Sequence, residues 1–210
     1  DLDNGVIIHE YGHGVSNRLT GGPSNSSALT QTQSRGMGEG WSDWFALVLT
    51  ADPSDTATTA RGIGTYLLNQ APTGRGIRPY RYSTDLGENP STYGDIQAGG
   101  GLSVPHGIGS VWCSALWEMY WNLVDIHGWD PDLYNGTGGN NIALDLIIEG
   151  MKLQPANPTY LEARNGILLA DQVLNGGENL DAIWLAFAKR GMGFSADDGG
   201  ICGVTAVTNT

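Results

Sequence analysis

Basic residues, cysteines and long apolar runs are all scarce in this sequence. Only ten of its 210 residues are Lys or Arg, and the formal net charge is −12. Nucleic acid is therefore not an expected partner, because phosphate binding needs a basic surface. No stretch approaches the roughly 18 consecutive apolar residues of a membrane-spanning helix, so we expect no membrane partner either.

The cysteine count is low as well. Cys113 and Cys202 are the only two, which is too few for a disulfide scaffold. They either form one bridge in a secreted protein or stay free in a reducing compartment. A core must therefore come from apolar burial, and the 40% hydrophobic content with seven Trp is enough for a globular chain.

Apolar residues recur at helical spacing through most of the chain, which predicts a mainly α fold. The predicted helices cover about 5–18, 37–51, 106–128, 141–154, 158–175 and 179–193. The stretch 52–104 is rich in Gly, Pro, Asn and Asp, which predicts long functional loops with short extended pieces such as TYLLN, residues 65–69.

Two of the four histidines lie one helical turn apart in the segment HEYGH. At this spacing His9 and His13 share one helix face and can direct two imidazoles at one point, an arrangement that suits zinc. Glu10 lies about 100° around the helix and can approach that point without joining the pair. H-E-x-x-H is a zinc protease signature in which the glutamate is the general base. The alternative is a helix with two unrelated histidines, so further ligands are needed.

A catalytic zinc takes three protein ligands and leaves one position for water. Ser16 and Leu19 occupy the Gly and His positions of the metzincin pattern, which excludes that class. The other standard solution adds a glutamate from a second helix. Glu39 is the only acid between Glu10 and Asp43 and is the candidate, with a solvated glutamate near a helix start as the alternative.

Asp43 follows Glu39 by four residues and shares its helix face. It either accepts a hydrogen bond from a ligand imidazole, which would fix the tautomer of that ring, or is a surface acid. Gly36, Gly38 and Gly40 surround Glu39 and are poor helix formers. Such glycines predict a close approach of backbones at this point.

Five segments together resemble the fungalysin family of secreted zinc metallopeptidases, which are gluzincins related to thermolysin. They are HEYGHGVSNRLTGG, GMGEGWSDWFA, GIRPYRYSTD, HGIGSVWCSALWEMYW and LQPANPTYLEARNGILLAD, in the order and spacing of the family. The resemblance covers nearly the whole chain. It implies that zinc is held by His9, His13 and Glu39. It also implies that Glu10 is the general base and that Asp43 orients a zinc histidine.

Two further roles are implied by the resemblance alone. His106 resembles the histidine that hydrogen-bonds the tetrahedral intermediate, with a loop-packed histidine at a helix start as the alternative. Arg78, in GIR, resembles the arginine that holds a substrate carbonyl, but it could equally brace its loop by pairing with an acid. The aspartate that orients the family's histidine is here Gly101, so either Asp95 orients His106 or no acid does.

The resemblance implies that residues 1–210 are the helical C-terminal half of a two-part, thermolysin-like catalytic domain. The N-terminal β-rich half lies outside this chain, and that half or a propeptide is an expected partner beside a protein or peptide substrate. The expected function is a secreted, zinc-dependent endopeptidase. The alternatives are a non-catalytic zinc-binding or scaffold domain and a gluzincin aminopeptidase. No clear motif indicates calcium, and Ca²⁺ stays open.

Overall fold

The computed structural model describes residues 2–198. Within them the chain forms six α-helices and one 3₁₀ turn, Tyr93–Ile96. The helices are α1 (Asn4–Leu19), α2 (Thr32–Leu49), α3 (His106–His127), α4 (Gly139–Leu153), α5 (Tyr160–Asn175) and α6 (Leu180–Lys189). The predicted mainly α class is confirmed. None of the described helices is long and apolar enough to cross a membrane.

Helix α3 is the centre of the core and packs against α2, α4 and α6. It is buried on all sides over most of its length, as expected for a helix that is apolar all round. Trp112 meets Trp41 of α2 edge to face, with ring centroids 5.7 Å apart. Ile126, which the periodicity places in the core stripe, is exposed instead because the whole last turn of α3, residues 125–127, lies at the surface.

Helices α2 and α3 touch through glycine. A Cβ added to Gly40 would lie 2.4 Å from the carbonyl oxygen of Gly109, and one added to Gly36 would lie 2.7 Å from Ile108 Cγ1. The predicted close approach is therefore confirmed at these two positions. At Gly38 the nearest atom would be 3.9 Å away, which is ordinary contact distance.

Helix α1 begins where the sequence suggested. Asp3 is its N-cap, and Asp3 Oδ1 accepts a hydrogen bond from the Val6 amide at 3.3 Å. Further along, α1 lies directly on α2, because a Cβ added to Gly12 would be 2.9 Å from Ser42 Cα. This crossing brings the histidine face of α1 over the middle of α2.

Helix α2 begins at Thr32, five residues before the predicted start at 37. The side chain of Asn157 caps this end. Its Oδ1 accepts from the Gln31 amide at 3.2 Å and from Ser34 Oγ at 3.2 Å. Gln31 is the N-cap residue, and its amide also donates to Ser34 Oγ at 3.1 Å in a local capping box, so the cap is partly local and partly supplied by a residue 126 positions away.

The segment between α2 and α3 is irregular, as predicted, but TYLLN forms turns and is not extended. The Asn69 amide donates to the Tyr66 carbonyl at 2.9 Å, which closes one of these turns. The two isolated bridges in this segment are Arg61–Tyr82 and Ile63–Gly76.

Arg190, just after α6, fastens this loop segment to the core. It is fully buried, and its guanidinium donates to the carbonyls of Ser83, Asn89 and Ser91. It also forms a buried ion pair with Glu118 of α3 at 2.7 Å. The segment between α2 and α3 is thereby held by charge-assisted hydrogen bonds.

Candidate metal centre

His9 and His13 project from α1 as the i, i+4 spacing predicts. Their ring centroids are 4.9 Å apart and their planes are inclined at 87°. His9 is buried, whereas the side chain of His13 is 31% exposed. His13 therefore forms the open edge of the site, and His9 forms the inner edge.

Glu39 meets both rings from α2. Its Oε2 lies 3.3 Å from His9 Nε2, and its Oε1 lies 3.8 Å from His13 Nε2. Ligand atoms about 2.0–2.1 Å from a tetrahedral zinc are about 3.4 Å from one another. The donor set therefore fits one such ion, and its three donor atoms all lie within 4.8 Å of one another. No other trio of His, Cys, Asp or Glu side chains converges in this way within residues 2–198.

Asp43 holds the other nitrogen of the inner histidine. His9 Nδ1 lies 2.7 Å from Asp43 Oδ1, in a fully buried contact. An ionised carboxylate only accepts hydrogen bonds, so Nδ1 carries the proton and donates it. Because Asp43 holds Nδ1, the ring turns Nε2 toward Glu39, and Nε2 is the nitrogen that would bind a metal after it loses its proton.

Arg78 lies behind Asp43. Arg78 Nε donates to Asp43 Oδ2 at 2.5 Å, and Nη2 donates to Asp43 Oδ1 at 2.8 Å. Nη2 also lies 3.4 Å from Glu39 Oε2, and Arg78 is only 3% exposed. These contacts match the alternative in which Arg78 braces its loop by pairing with an acid. A contact with a substrate carbonyl stays a prediction.

Tyr82 is the site residue that sequence reasoning missed. Its hydroxyl donates to Asp43 Oδ2 at 2.5 Å from a fully buried position 39 residues away in sequence. Only its place in the GIRPYRYSTD segment pointed to this region. Burial raises the pKa of Tyr82 and of the neighbouring thiol of Cys113. Cys202 lies outside the described residues, so a bridge to Cys113 stays a prediction.

The charged groups of the site shift one another's pKa values. Burial raises the pKa of Asp43, but hydrogen bonds from Arg78 and His9 lower it further, to about 2. Burial lowers the pKa of His9, while hydrogen bonds to Asp43 and Glu39 raise it to about 9. Burial and the positive charge of His9 lower the pKa of His13. At neutral pH His13 is therefore neutral and can act as a ligand, whereas a metal at His9 must displace the proton of its Nε2.

His106 begins α3 and lies at the mouth of the site. Its side chain is 59% exposed, and its Nε2 lies 3.5 Å from Glu39 Oε1. Asp95 accepts instead from the Thr92 amide at 2.7 Å and caps the 3₁₀ turn. No hydrogen bond joins Asp95 to His106 in the described part of the chain, and Glu39 is the acid that faces the imidazole.

Glu10 lies on the solvent side of α1, next to the candidate metal centre formed by His9, His13 and Glu39. It is exposed, and its negative charge acts on His13 by raising its pKa against the larger effect of burial. Its carboxylate is therefore close to the open edge of the site and accessible to water. Its catalytic role stays a prediction.

Comparison with known proteins places the chain in a family. A family model described as fungalysin metallopeptidase (M36) matches residues 1–196. The chain belongs to the fungalysin family. The family assignment made from the five sequence segments is thereby confirmed.

Its fungalysin relatives include fungal proteins that are named as extracellular enzymes. Extracellular metalloproteinase mep of Aspergillus fumigatus is 48% identical over 201 residues, which is 93% of this chain and 31% of that protein. Extracellular metalloproteinase 2 of Arthroderma gypseum is 46% identical over 199 residues, which is 92% of this chain and 30% of that protein. The chain thus spans about 30% of the length of the relatives it matches.

Proposed function

We propose that the protein is a zinc-dependent endopeptidase. The observation that carries this proposal is the convergence of His9, His13 and Glu39, with donor atoms within 4.8 Å of one another, beside the exposed carboxylate of Glu10. Membership of the fungalysin family supports the same chemistry. Secretion is supported by the names of the relatives, which are extracellular metalloproteinases.

When bound, zinc supplies a Lewis acid that acidifies water and polarises the substrate carbonyl. Glu10 accepts the proton of the attacking water on its carboxylate and passes it to the leaving amine nitrogen. His106, exposed at the mouth, donates from Nε2 to the developing oxyanion, an interaction worth on the order of 3 kcal/mol when preorganised. Asp43 keeps the proton of His9 on Nδ1. Arg78 uses Nε and Nη2 on Asp43, which leaves Nη1 as its donor for a substrate carbonyl.

The protease is proposed to need a second, upstream half. Helix α1 presents Ile7 and Tyr11 to solvent, and Tyr11 is 80% exposed. Ile7 and Tyr11 lie one turn apart on one face of α1 and form a small apolar surface beside the candidate metal centre. We assign that surface to the β-rich half that the family resemblance implies, supplied in the same chain or as a separate one.

Glu10→Gln tests the catalytic proposal, because it removes the base and keeps all three metal ligands. Casein hydrolysis should fall by about 10²–10⁴-fold, while elemental analysis should still find one zinc per chain. Glu178→Gln is the matched control, since Glu178 is an exposed glutamate in the turn before α6. If Glu10→Gln kept most of its activity, the hydrolytic mechanism would be wrong.

The two alternative functions, an aminopeptidase and a zinc-binding scaffold, predict different results for the same protein preparation. An endopeptidase cleaves peptides whose N-terminus is acetylated, whereas an aminopeptidase requires the free amine. A zinc-binding scaffold domain contains the metal and cleaves neither peptide. Measuring the cleavage of one peptide sequence with and without acetylation separates all three.

A further inference from the structure

A pocket of about 250 Å³ opens beside the candidate metal centre, at the C-terminal end of α1. The residues that line it are His13, Gly14, Asn17, Arg18 and Ser26. His13 belongs both to the pocket and to the candidate metal centre. The pocket is therefore within reach of a side chain close to the scissile bond of a peptide bound at the candidate metal centre.

Arg18 is one of the few cations left without an acidic partner. Within the described part, six of the ten Lys and Arg side chains form ion pairs, and Arg164 donates to backbone carbonyls. The remaining three, Arg18, Arg35 and Arg75, form neither an ion pair nor a set of buried hydrogen bonds of this kind within residues 2–198. The one side-chain contact of Arg18 is to the Pro23 carbonyl at 3.4 Å.

The position of Arg18 has a partial structural explanation. It lies in the last turn of α1, where a cation stabilises the helix dipole. That effect accounts for a basic residue at this point, but it does not account for the pocket that Arg18 lines. In a chain with a net charge of −12, a cation that stays free at the rim of a pocket is available to an incoming anion.

Gly14 keeps the floor of the pocket open. A Cβ at Gly14 would meet no atom within 4 Å, although the residue lies inside α1. Glycine in a helix interior costs about 1 kcal/mol relative to alanine. The amide nitrogen of Asn17 is already bonded to the His13 carbonyl at 2.8 Å. The guanidinium of Arg18 and the exposed hydroxyl of Ser26 are therefore the donors left at the rim.

We propose that this pocket is a substrate subsite for an acidic side chain close to the scissile bond. Its carboxylate pairs with Arg18 and accepts a hydrogen bond from Ser26, while its methylene groups lie over Gly14. The subsite rests on the proposed peptidase function, since it assigns a substrate class to that same site.

Peptide pairs that differ only by Glu or Gln test the subsite. The pair is placed in turn at each position within three residues of the scissile bond, and kcat/KM is measured with the zinc-loaded full chain. The wild-type protein should prefer Glu at one position by about fivefold, the upper end for an exposed ion pair. The preference should shrink at 1 M salt.

Substitutions at Arg18 should change this preference selectively. Arg18→Gln should abolish the preference for Glu over Gln. Arg18→Glu should instead favour peptides with Lys at the same position. Arg75→Gln is the matched control, because Arg75 is also exposed and also makes a single 3.4 Å contact, to the Pro79 carbonyl. It should leave the preference unchanged. An unchanged preference in Arg18→Gln overturns the subsite.

Gly14→Ala tests the shape of the pocket separately from its charge. The variant should melt at a higher temperature, because alanine favours the helix, yet it should cleave the Glu peptide less well relative to a matching Gly peptide. A loss of activity can then not be attributed to unfolding. Equal cleavage of both peptides by Gly14→Ala and by the wild-type protein contradicts the assignment of the pocket floor.

The subsite and the peptidase function can fail separately. If cleavage depends on Glu10 but Arg18→Gln keeps the Glu preference, only the subsite is wrong. If no peptide is cleaved even when the upstream half is supplied, the proposed function fails, and calorimetric Kd values for the Glu and Gln peptides decide the subsite. A Glu preference in binding that Arg18→Gln removes supports it, and equal Kd values overturn it.

Discussion

Asp43 connects the metal centre to the loop that follows α2. Its two oxygens accept four hydrogen bonds, from His9, twice from Arg78, and from Tyr82. Both the carboxylate and the guanidinium are buried, so each depends on the other for its stability. The same carboxylate also holds His9 Nδ1, so we expect the stability of the site and its affinity for metal to be linked.

Asp43→Asn should weaken both properties. The amide leaves the buried Arg78 with only its longer, 3.4 Å ion pair to Glu39, so the free energy of unfolding should fall by up to about 3–5 kcal/mol. Zinc affinity, measured by competition with a chelator, should fall about 10–100-fold because His9 loses its orienting partner. Asp125→Asn removes the same charge from an exposed position and should change neither value. Full zinc affinity in Asp43→Asn would contradict the orienting role.

Single residues of the site could be predicted to different extents. The spacing of His9 and His13, and the scarcity of acids before Glu39, are local features, and the structure brings these three residues together. Tyr82 could not be predicted in this way, because its partner lies 39 residues away and nothing around a tyrosine signals a buried acceptor. The sequence could not decide between the two roles of Arg78 for the same reason, since its partner Asp43 lies 35 residues away.

At the scale of elements, α2 is the layer that joins the site to the core. It carries Glu39 and Asp43 on the face toward α1, and its glycines allow α3 to approach on the other side. Gly40 and Gly14 make a matched pair, since both are interior helix glycines with opposite surroundings. One faces a carbonyl oxygen across the helix interface, and the other faces open space.

Alanine at these two positions should therefore have opposite effects. Gly40→Ala would place a Cβ 2.4 Å from the Gly109 carbonyl oxygen. Neither atom can move independently of its helix, so the two helices must separate. Stability should fall by about 1–3 kcal/mol or more, as in overpacked cores. Gly14→Ala should gain up to about 1 kcal/mol. Urea unfolding measures both, and a stable Gly40→Ala variant would show that the interface is not tight.

The elements were predictable where their signals are local. The 3.6-residue periodicity predicted α3, α4 and α5 to within two residues at each end, because those helices bury regular apolar faces. Helix α6 ends at Lys189, four residues before the predicted end at 193. The start of α2 was missed because its N-cap is Gln31, which forms a capping box with Ser34, and because Asn157 of a distant loop completes the cap. The TYLLN stretch was misread because turn hydrogen bonds, such as Asn69 to Tyr66, override the β propensity of its side chains.

At the scale of the molecule, the candidate metal centre joins two helices that the chain must first bring together. His9 and His13 come from α1 and Glu39 from α2, so an unfolded chain does not hold the three donors in place. Zinc at 100 times its Kd should therefore raise the free energy of unfolding by about 2.7 kcal/mol. A chelator should lower the melting temperature of the wild-type protein.

Removing one ligand tests whether zinc at this site causes the rise in melting temperature. Glu39→Gln should lose most of the zinc-dependent stabilisation, because it removes one of three ligands. His127→Gln is the control, since His127 lies at the far end of α3, bonded to Asn179. It should keep the full response to zinc. Equal responses in both variants would place the stabilising ion elsewhere.

The exposed face of α1 leads to a prediction about the whole enzyme. Residues 1–210 alone should bind zinc but cleave casein poorly, because positioning of the substrate supplies several kcal/mol of the barrier and needs both sides of a cleft. Supplying the upstream β-rich half, in the same chain or separately, should raise kcat/KM by orders of magnitude. Full protease activity from the 210-residue chain would show that this half is dispensable.

The position of the metal tests the central claim most directly. Anomalous scattering from crystals of the zinc-loaded protein, measured on both sides of the zinc edge, locates the ion without reference to activity. We predict one peak per chain, about 2.0–2.2 Å from His9 Nε2, His13 Nε2 and a carboxylate oxygen of Glu39. A peak at any other place, or one bound by Asp43 in place of Glu39, would contradict the account.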